Sequence, residues 1–233
     1  MTNVLIGSCK LGAIPRAAAI IDSFLPIEKI MELKSIGTDL LEIRVDCFEE
    51  SIDKVCEYMV NVKRNCGLPL IGTIRENERT KSNRIDLFAK IIPLVDSIDV
   101  EIDAAIAPEV IGMAAGKAII VSEHNYNFTP DLDGLIDIAV RAAALEGHIV
   151  KIAAMAHNRA DVIRMLQFIN GCKMPVVAFS MGEFGSISRV MSMLFGSLYS
   201  YGFVTNANAP GQLGIEKLVE EMRLYFPEFG KSS

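Results

Sequence analysis

Eight short runs rich in valine and isoleucine alternate with longer segments whose apolar residues recur at helical spacing, and this alternation narrows the fold more than any other feature of the chain. The runs are "VLIGSC" from Val4, "LLEIRVD" from Leu40, "PLIGTIR" from Pro69, "SIDVEI" from Ser97, "KAIIVSEH" from Lys117, "HIVKIAA" from His148, "PVVAFSM" from Pro175 and "YGFVT" from Tyr201. Helical spacing links Ile27, Ile30, Met31 and Leu33, then Leu132, Leu135, Ile136, Ala139 and Ala142, then Val162, Ile163, Leu166 and Ile169. Thr129-Pro130 reads as a cap and first turn, and Gly171 as a helix stop. Parallel strands joined by helices are buried on both faces, so they read as apolar runs. Eight such units in 233 residues predict an α/β fold, a (β/α)8 TIM barrel forming a single domain over residues 1–233. An open doubly wound sheet is the alternative, weakened by the lack of a Gly-x-Gly-x-x-Gly turn after the first run.

With 51% apolar and 22% charged residues, such a chain can build its core without disulfides or a structural metal. No apolar run approaches the ~20 residues of a membrane span, and no basic leader precedes the first run, so neither membrane nor secretory signal is expected. A net charge of −6 without any Lys/Arg block argues against a nucleic-acid partner. It leaves room for a small anionic substrate held by a few local arginines. The five cysteines, Cys9, Cys47, Cys56, Cys66 and Cys172, show no metal or redox spacing and read as reduced thiols of a cytoplasmic protein.

Side chains alternate across a strand. In "LLEIRVD" the apolar set must face the surrounding helices, so Glu42, Arg44 and Asp46 point into the barrel. The same parity places Thr73 with Arg75, Asp99 with Glu101, Ser122 with His124, and Lys151 with Ile149 and Ala153. Each pair alone is as readily a buried ion pair or a satisfied polar group as a site. Five strands placing such groups at one barrel end point to a shared pocket, at the C-terminal end where chemistry gathers in this fold.

Lys151 interrupts the apolar stretch "GHIVKIAAMAHN". It is a surface lysine, one half of an ion pair, or an amine whose neutral form is wanted. Ile149, Val150, Ile152, Ala153 and Ala154 offer no countercharge, and burial would then favour the free amine. A neutral amine attacks a ketone or aldehyde to form an imine. Its protonated form draws electrons from the neighbouring carbon, so a proton carrier is needed. His124 ends the preceding strand at similar height, and adjacent strands lie ~4.8 Å apart. His148 opens its strand at the opposite barrel end, and His157 suits a loop or capping role.

These residues resemble the type I 3-dehydroquinate dehydratase family of the shikimate pathway. The likeness runs from "EIRVD" through "SEHNYNFTP", "VKIAAMAHNRADV" and "SMGEFGSISR" to "NAPGQ", in this order over most of the chain. It implies a (β/α)8 barrel that dehydrates 3-dehydroquinate to 3-dehydroshikimate through a lysine imine, without metal or organic cofactor, as a homodimer. Lys151 matches the imine-forming lysine and His124 the general acid/base. Glu42, Arg44 and Arg75 match substrate-binding residues, Arg189 the carboxylate clamp, and Gln212 a glutamine of the closing loop. Two departures stand out. The family's histidine-orienting glutamate falls about four residues after Arg75, where "RENER" has Arg79, with Glu78 one position short. Asn208 stands where the closing loop often carries serine. A class I aldolase, or a barrel that binds a small carboxylate without turnover, are the competing readings.

Overall fold

Alternate residues of the strands sort into two separate apolar clusters, and this division sets the architecture. The computed structural model describes residues 4–207 and 209–231. Eight parallel strands follow one another around the sheet: β3 (Arg16–Ile21), β4 (Leu40–Arg44), β5 (Leu70–Thr73), β6 (Ser97–Glu101), β7 (Ala118–Asn125), β8 (Ile149–Met155), β9 (Val176–Met181) and β10 (Tyr199–Phe203). At the seam, Leu198 N–H donates to the Val176 carbonyl at 2.9 Å and Ala178 N–H to Ser197 Oγ at 3.2 Å, joining the last strand of the series to the one before it. Helices α1 (Ile27–Ile36), α2 (Ile52–Cys66), α3 (Arg84–Ile91), α4 (Ala107–Met113), α5 (Leu132–Ala144), α6 (Arg159–Gly171), α7 (Ser188–Met191) and α8 (Ile215–Tyr225) connect and surround the strands. A two-residue strand, β11 (Leu213–Gly214), pairs with β10 just before α8.

Outward residues such as Leu41, Ile43, Ile98, Val100, Val121, Val150, Ile152 and Ala178 pack with Leu33, Met59, Phe88, Leu135, Met165 and Leu218 from the helices. Inward residues form a second cluster that includes Ile20, Leu40, Ile71, Ile120, Ile149, Val177, Phe179, Tyr199 and Tyr201. This is the (β/α)8 arrangement expected from the alternating pattern, with a filled interior rather than a pore.

The first run belongs elsewhere. "VLIGSC" is not a barrel strand: β1 (Val4–Ile6) and β2 (Cys9–Leu11) form an antiparallel hairpin turning at Gly7, whose φ is +55°. Ile6, Cys9 and Leu11 plug the N-terminal floor of the interior cluster. The first barrel strand is instead "RAAAII", whose Ala17, Ala18 and Ala19 are fully buried. Alanine scores poorly as a strand former, yet its size suits a strand buried on both faces. The start of α5 also differs from expectation. Asp131, not Thr129, caps it, accepting from Gly134 N–H at 2.9 Å, while Thr129 Oγ1 donates to the Met155 carbonyl. The five cysteines are free thiols, and no helix among the described residues is long and apolar enough to cross a membrane.

Candidate active site

Polar side chains replace the apolar filling where the inward faces of β4 to β8 approach their C-terminal ends. They line a cavity of about 540 Å³ together with Phe179, Met181, Arg189, Tyr201 and Gln212. A space of this size suits a small molecule.

Lys151 lies within this wall and is only 4% exposed. Its Nζ donates to Asp99 Oδ2 at 2.8 Å and to Glu42 Oε1 at 3.2 Å, and it stands 4.2 Å from the centroid of the Tyr201 ring. The expectation of a lysine without countercharge is therefore corrected: Lys151 is half of a buried ion-pair cluster. Its acidic partners come from β6 and β4, which only closure of the sheet brings alongside. Burial alone would raise the Asp99 carboxyl, but the Arg75 and Lys151 charges outweigh it and hold the group well below the usual carboxylate range. Glu42 also accepts from Thr73 Oγ1 at 2.9 Å.

Arg75 follows β5 and extends the cluster. It meets Asp99 at 2.9 Å, Ser122 Oγ at 2.8 Å and Glu101 at 3.5 Å. Glu101 is held from behind by Arg84, whose Nε donates to the Ile74 carbonyl. Arg44 grips Asp46 through two parallel bonds of 3.0 and 2.7 Å. Asp46 itself sits in the 3-10 turn Val45–Cys47, so strand parity ends at Arg44.

His124 is the last residue but one of β7, half-buried on the cavity wall. The strand register pairs Ser122 with Lys151 and His124 with Ala153. The imidazole is thus one inward step nearer the mouth than the amine, ~6.6 Å along the strand, rather than level with it. Burial, then the charges of Arg75 and Lys151, lower its pKa well below the ordinary 6.5, so the ring is neutral. Among the described residues it makes no hydrogen bond. Glu78 does not orient it: that side chain is 89% exposed and pairs with Lys81. Arg79 turns away too, donating to the Asp46 and Phe48 carbonyls and tying two loops together. The residues of this segment that reach the cavity are Glu76 and Asn77.

Arg189, from α7, is the odd cation. It is 1% exposed, its guanidinium lies 3.9 Å from the Phe179 ring centroid, and its Nε and Nη2 have no hydrogen-bond partner among the described residues. Burial draws its pKa down to about 10. The other cations at or just behind the wall are answered: Glu42, Asp46, Asp99 and Glu101 pair with Lys151, Arg44, Arg75 and Arg84. An anion entering the cavity would find Arg189 waiting. Gln212 lines the same space from the loop before β11. Asn208, from the same loop, lies outside the described residues. His148 and His157 stand apart, His148 accepting from Ile119 N–H through Nδ1 and His157 Nε2 contacting the Asn127 carbonyl.

The structure thus brings Lys151, His124, Glu42, Arg44, Arg75, Arg189 and Gln212 to one cavity. Sequence reasoning placed Asp99 on the inner face without linking it to Lys151, and passed over Tyr201 and Phe179. The inward parity of "SIDVEI" offered a signal for Asp99; the two aromatics read as ordinary core.

Residues 25–227 match the family model described as type I 3-dehydroquinase. The chain is 35% identical over 201 residues to a 3-dehydroquinate dehydratase of Hydrogenobaculum sp., covering 83% of this chain and 92% of that one. It is 34% identical over 206 residues to the Aquifex aeolicus 3-dehydroquinate dehydratase, covering 85% and 93%. Among solved structures, a type I 3-dehydroquinate dehydratase from Clostridium difficile with covalently modified comenic acid superposes with a TM-score of 0.83 at 27% identity, covering 96% and 97%. Fold, cavity position and sequence agree on one assignment: the chain belongs to the type I 3-dehydroquinase family, and it is a hydro-lyase.

Proposed function

We propose that the chain converts 3-dehydroquinate to 3-dehydroshikimate and water through an imine on Lys151. The single observation that carries this reading is a buried lysine and a buried, acid-free arginine facing one cavity, one suited to a ketone and the other to a carboxylate. One proton passes from Nζ to solvent first, since attack needs the amine, and one is taken up again when the carbinolamine hydroxyl leaves as water. The amine adds to the C3 ketone, and the carbinolamine loses water to give the protonated imine. Neutral His124 removes a proton from C2 while the imine accepts the electron pair. The C1 hydroxyl then leaves as water, protonated by the same imidazole, and hydrolysis returns the lysine. Glu42, Arg44, Arg75, Gln212 and Asn208 hold the ring hydroxyls. Arg189 binds the carboxylate, its planar fork matching two oxygens.

The reaction needs no metal or organic cofactor in this scheme. It would serve the shikimate pathway to chorismate and the aromatic amino acids, in the cytoplasm and in a single-domain chain acting as a homodimer. The exposed stripe Leu132, Ile136 and Val140 on α5 supports a dimer. An aldolase would share the lysine, but the neutral histidine and the carboxylate-seeking arginine favour dehydration of an acidic ring.

Incubation with 3-dehydroquinate tests the reading through the ultraviolet absorbance of the conjugated enone product; well-folded protein giving no signal would favour the aldolase. The same assay reads pH dependence. Because His124 is held neutral below the usual histidine range, the acid limb of kcat/KM is expected below pH 6.5, the ordinary value. A limb that stays unchanged in His124→Ala would mean another group carries the proton.

Arg189→Met gives a second check. It replaces an unanswered buried charge by an apolar chain of similar length, so the variant is expected to melt at a higher temperature than the parent while KM rises by about 100-fold or more. A lower melting temperature with unchanged KM would show that Arg189 is structural.

A further inference from the structure

The ring of Tyr201 lies under the Lys151 ammonium, with its centroid 4.2 Å from Nζ. Ring and amine are both buried, at 1% and 4% exposure. The ring's orientation is fixed on two sides. Tyr199 meets it edge-on at 5.2 Å and 64°, their hydroxyls 3.1 Å apart, and Phe179 meets it edge-on at 6.3 Å and 72°. Burial holds both tyrosine hydroxyls well above the ordinary range, so both rings stay un-ionised. Their electron-rich faces are what the cavity feels.

An ammonium has three N–H groups. Two of those on Lys151 go to Asp99 and Glu42. Condensation with a ketone, R–NH3⁺ + O=C → R–NH⁺=C + H2O, conserves the charge but leaves one N–H. At least one carboxylate must then lose its hydrogen bond to the nitrogen. Attraction between a cation and a ring face needs no N–H, so it survives the conversion.

Resting on the imine reading above, we propose that Tyr201 is a catalytic residue of this site, its ring face stabilising the cationic imine formed on Lys151. Asp99 and Glu42 hold the lysine in its resting form; Tyr201 holds the intermediate once those bonds are reduced. Phe179 does the corresponding work for Arg189, whose guanidinium rests on its face at 3.9 Å.

The test keeps the ring's shape and changes only its electrons. In the full chain, Tyr201→Phe serves as the reference, and phenylalanines carrying one, two and three ring fluorines are placed at position 201. The readouts are kcat, KM and the fraction of Lys151 trapped by borohydride with 3-dehydroquinate present. The expected result is a stepwise fall in kcat and in trapped fraction, about tenfold across the series, with KM changing little. A flat kcat across the series would overturn the role of the ring while leaving the imine standing. Absence of any adduct at Lys151 in the unaltered protein would overturn the imine reading, and this inference with it.

Discussion

Lys151→Ala is expected to lower kcat by about 10⁴-fold or more, with the protein still folded. The reason is chemical: without the amine the substrate ketone cannot become an electron sink, and proton removal from the adjacent carbon loses its driving force. What remains would come from binding and from His124 alone. The substitution also removes the cation between two buried carboxylates. Breaking a buried pair commonly costs about 3–5 kcal/mol when one charge is stranded. Here Asp99 keeps Arg75 and Ser122, and Glu42 keeps Thr73. The loss is therefore expected nearer 1–3 kcal/mol. Steady-state absorbance and thermal melting together check both halves. Activity within about 100-fold of the parent would remove the lysine from the chemistry.

His124→Ala is expected to lower kcat by about 10²–10⁴-fold, the range for a lost general acid/base. Imine formation should persist, because Nζ and its two carboxylates are untouched. Little stability should be lost, since the imidazole makes no hydrogen bond among the described residues. The pattern sought is thus a folded variant that still gives a borohydride adduct yet turns over slowly. A near-normal rate would assign the proton to another group, with Glu76 and Asn77 the first residues to consider along the same cavity wall.

The two periodicities made the barrel legible, because a strand buried on both faces leaves an apolar run and a surface helix leaves a spaced one. They failed where a strand was built from alanine: "RAAAII" carries no β-branched signal until its end, while "VLIGSC" carries a strong one and forms a plug. Parity located most of the wall, since Glu42, Ser122, His124 and Lys151 line the cavity, while Asp99 and Thr73 stand just behind it, bonded to Lys151 and Glu42. It could not supply partners. The acidic neighbours of Lys151 are 52 and 109 residues away, and inspection of its own strand suggested an isolated amine. The position after Arg75 was opaque for a similar reason. The loop's path, fixed by Arg79 on the Asp46 and Phe48 carbonyls, sends Glu78 to solvent and Glu76 toward the cavity. Tyr201 and Phe179 stayed hidden because an inward aromatic looks the same in sequence whether it packs against an alkyl chain or a cation.

Borohydride reduction in the presence of 3-dehydroquinate, followed by peptide mass mapping, reaches the covalent step directly. The account predicts one added ligand mass on the peptide containing Lys151, absent from Lys151→Ala. An adduct on another residue, or one that survives that substitution, would contradict it.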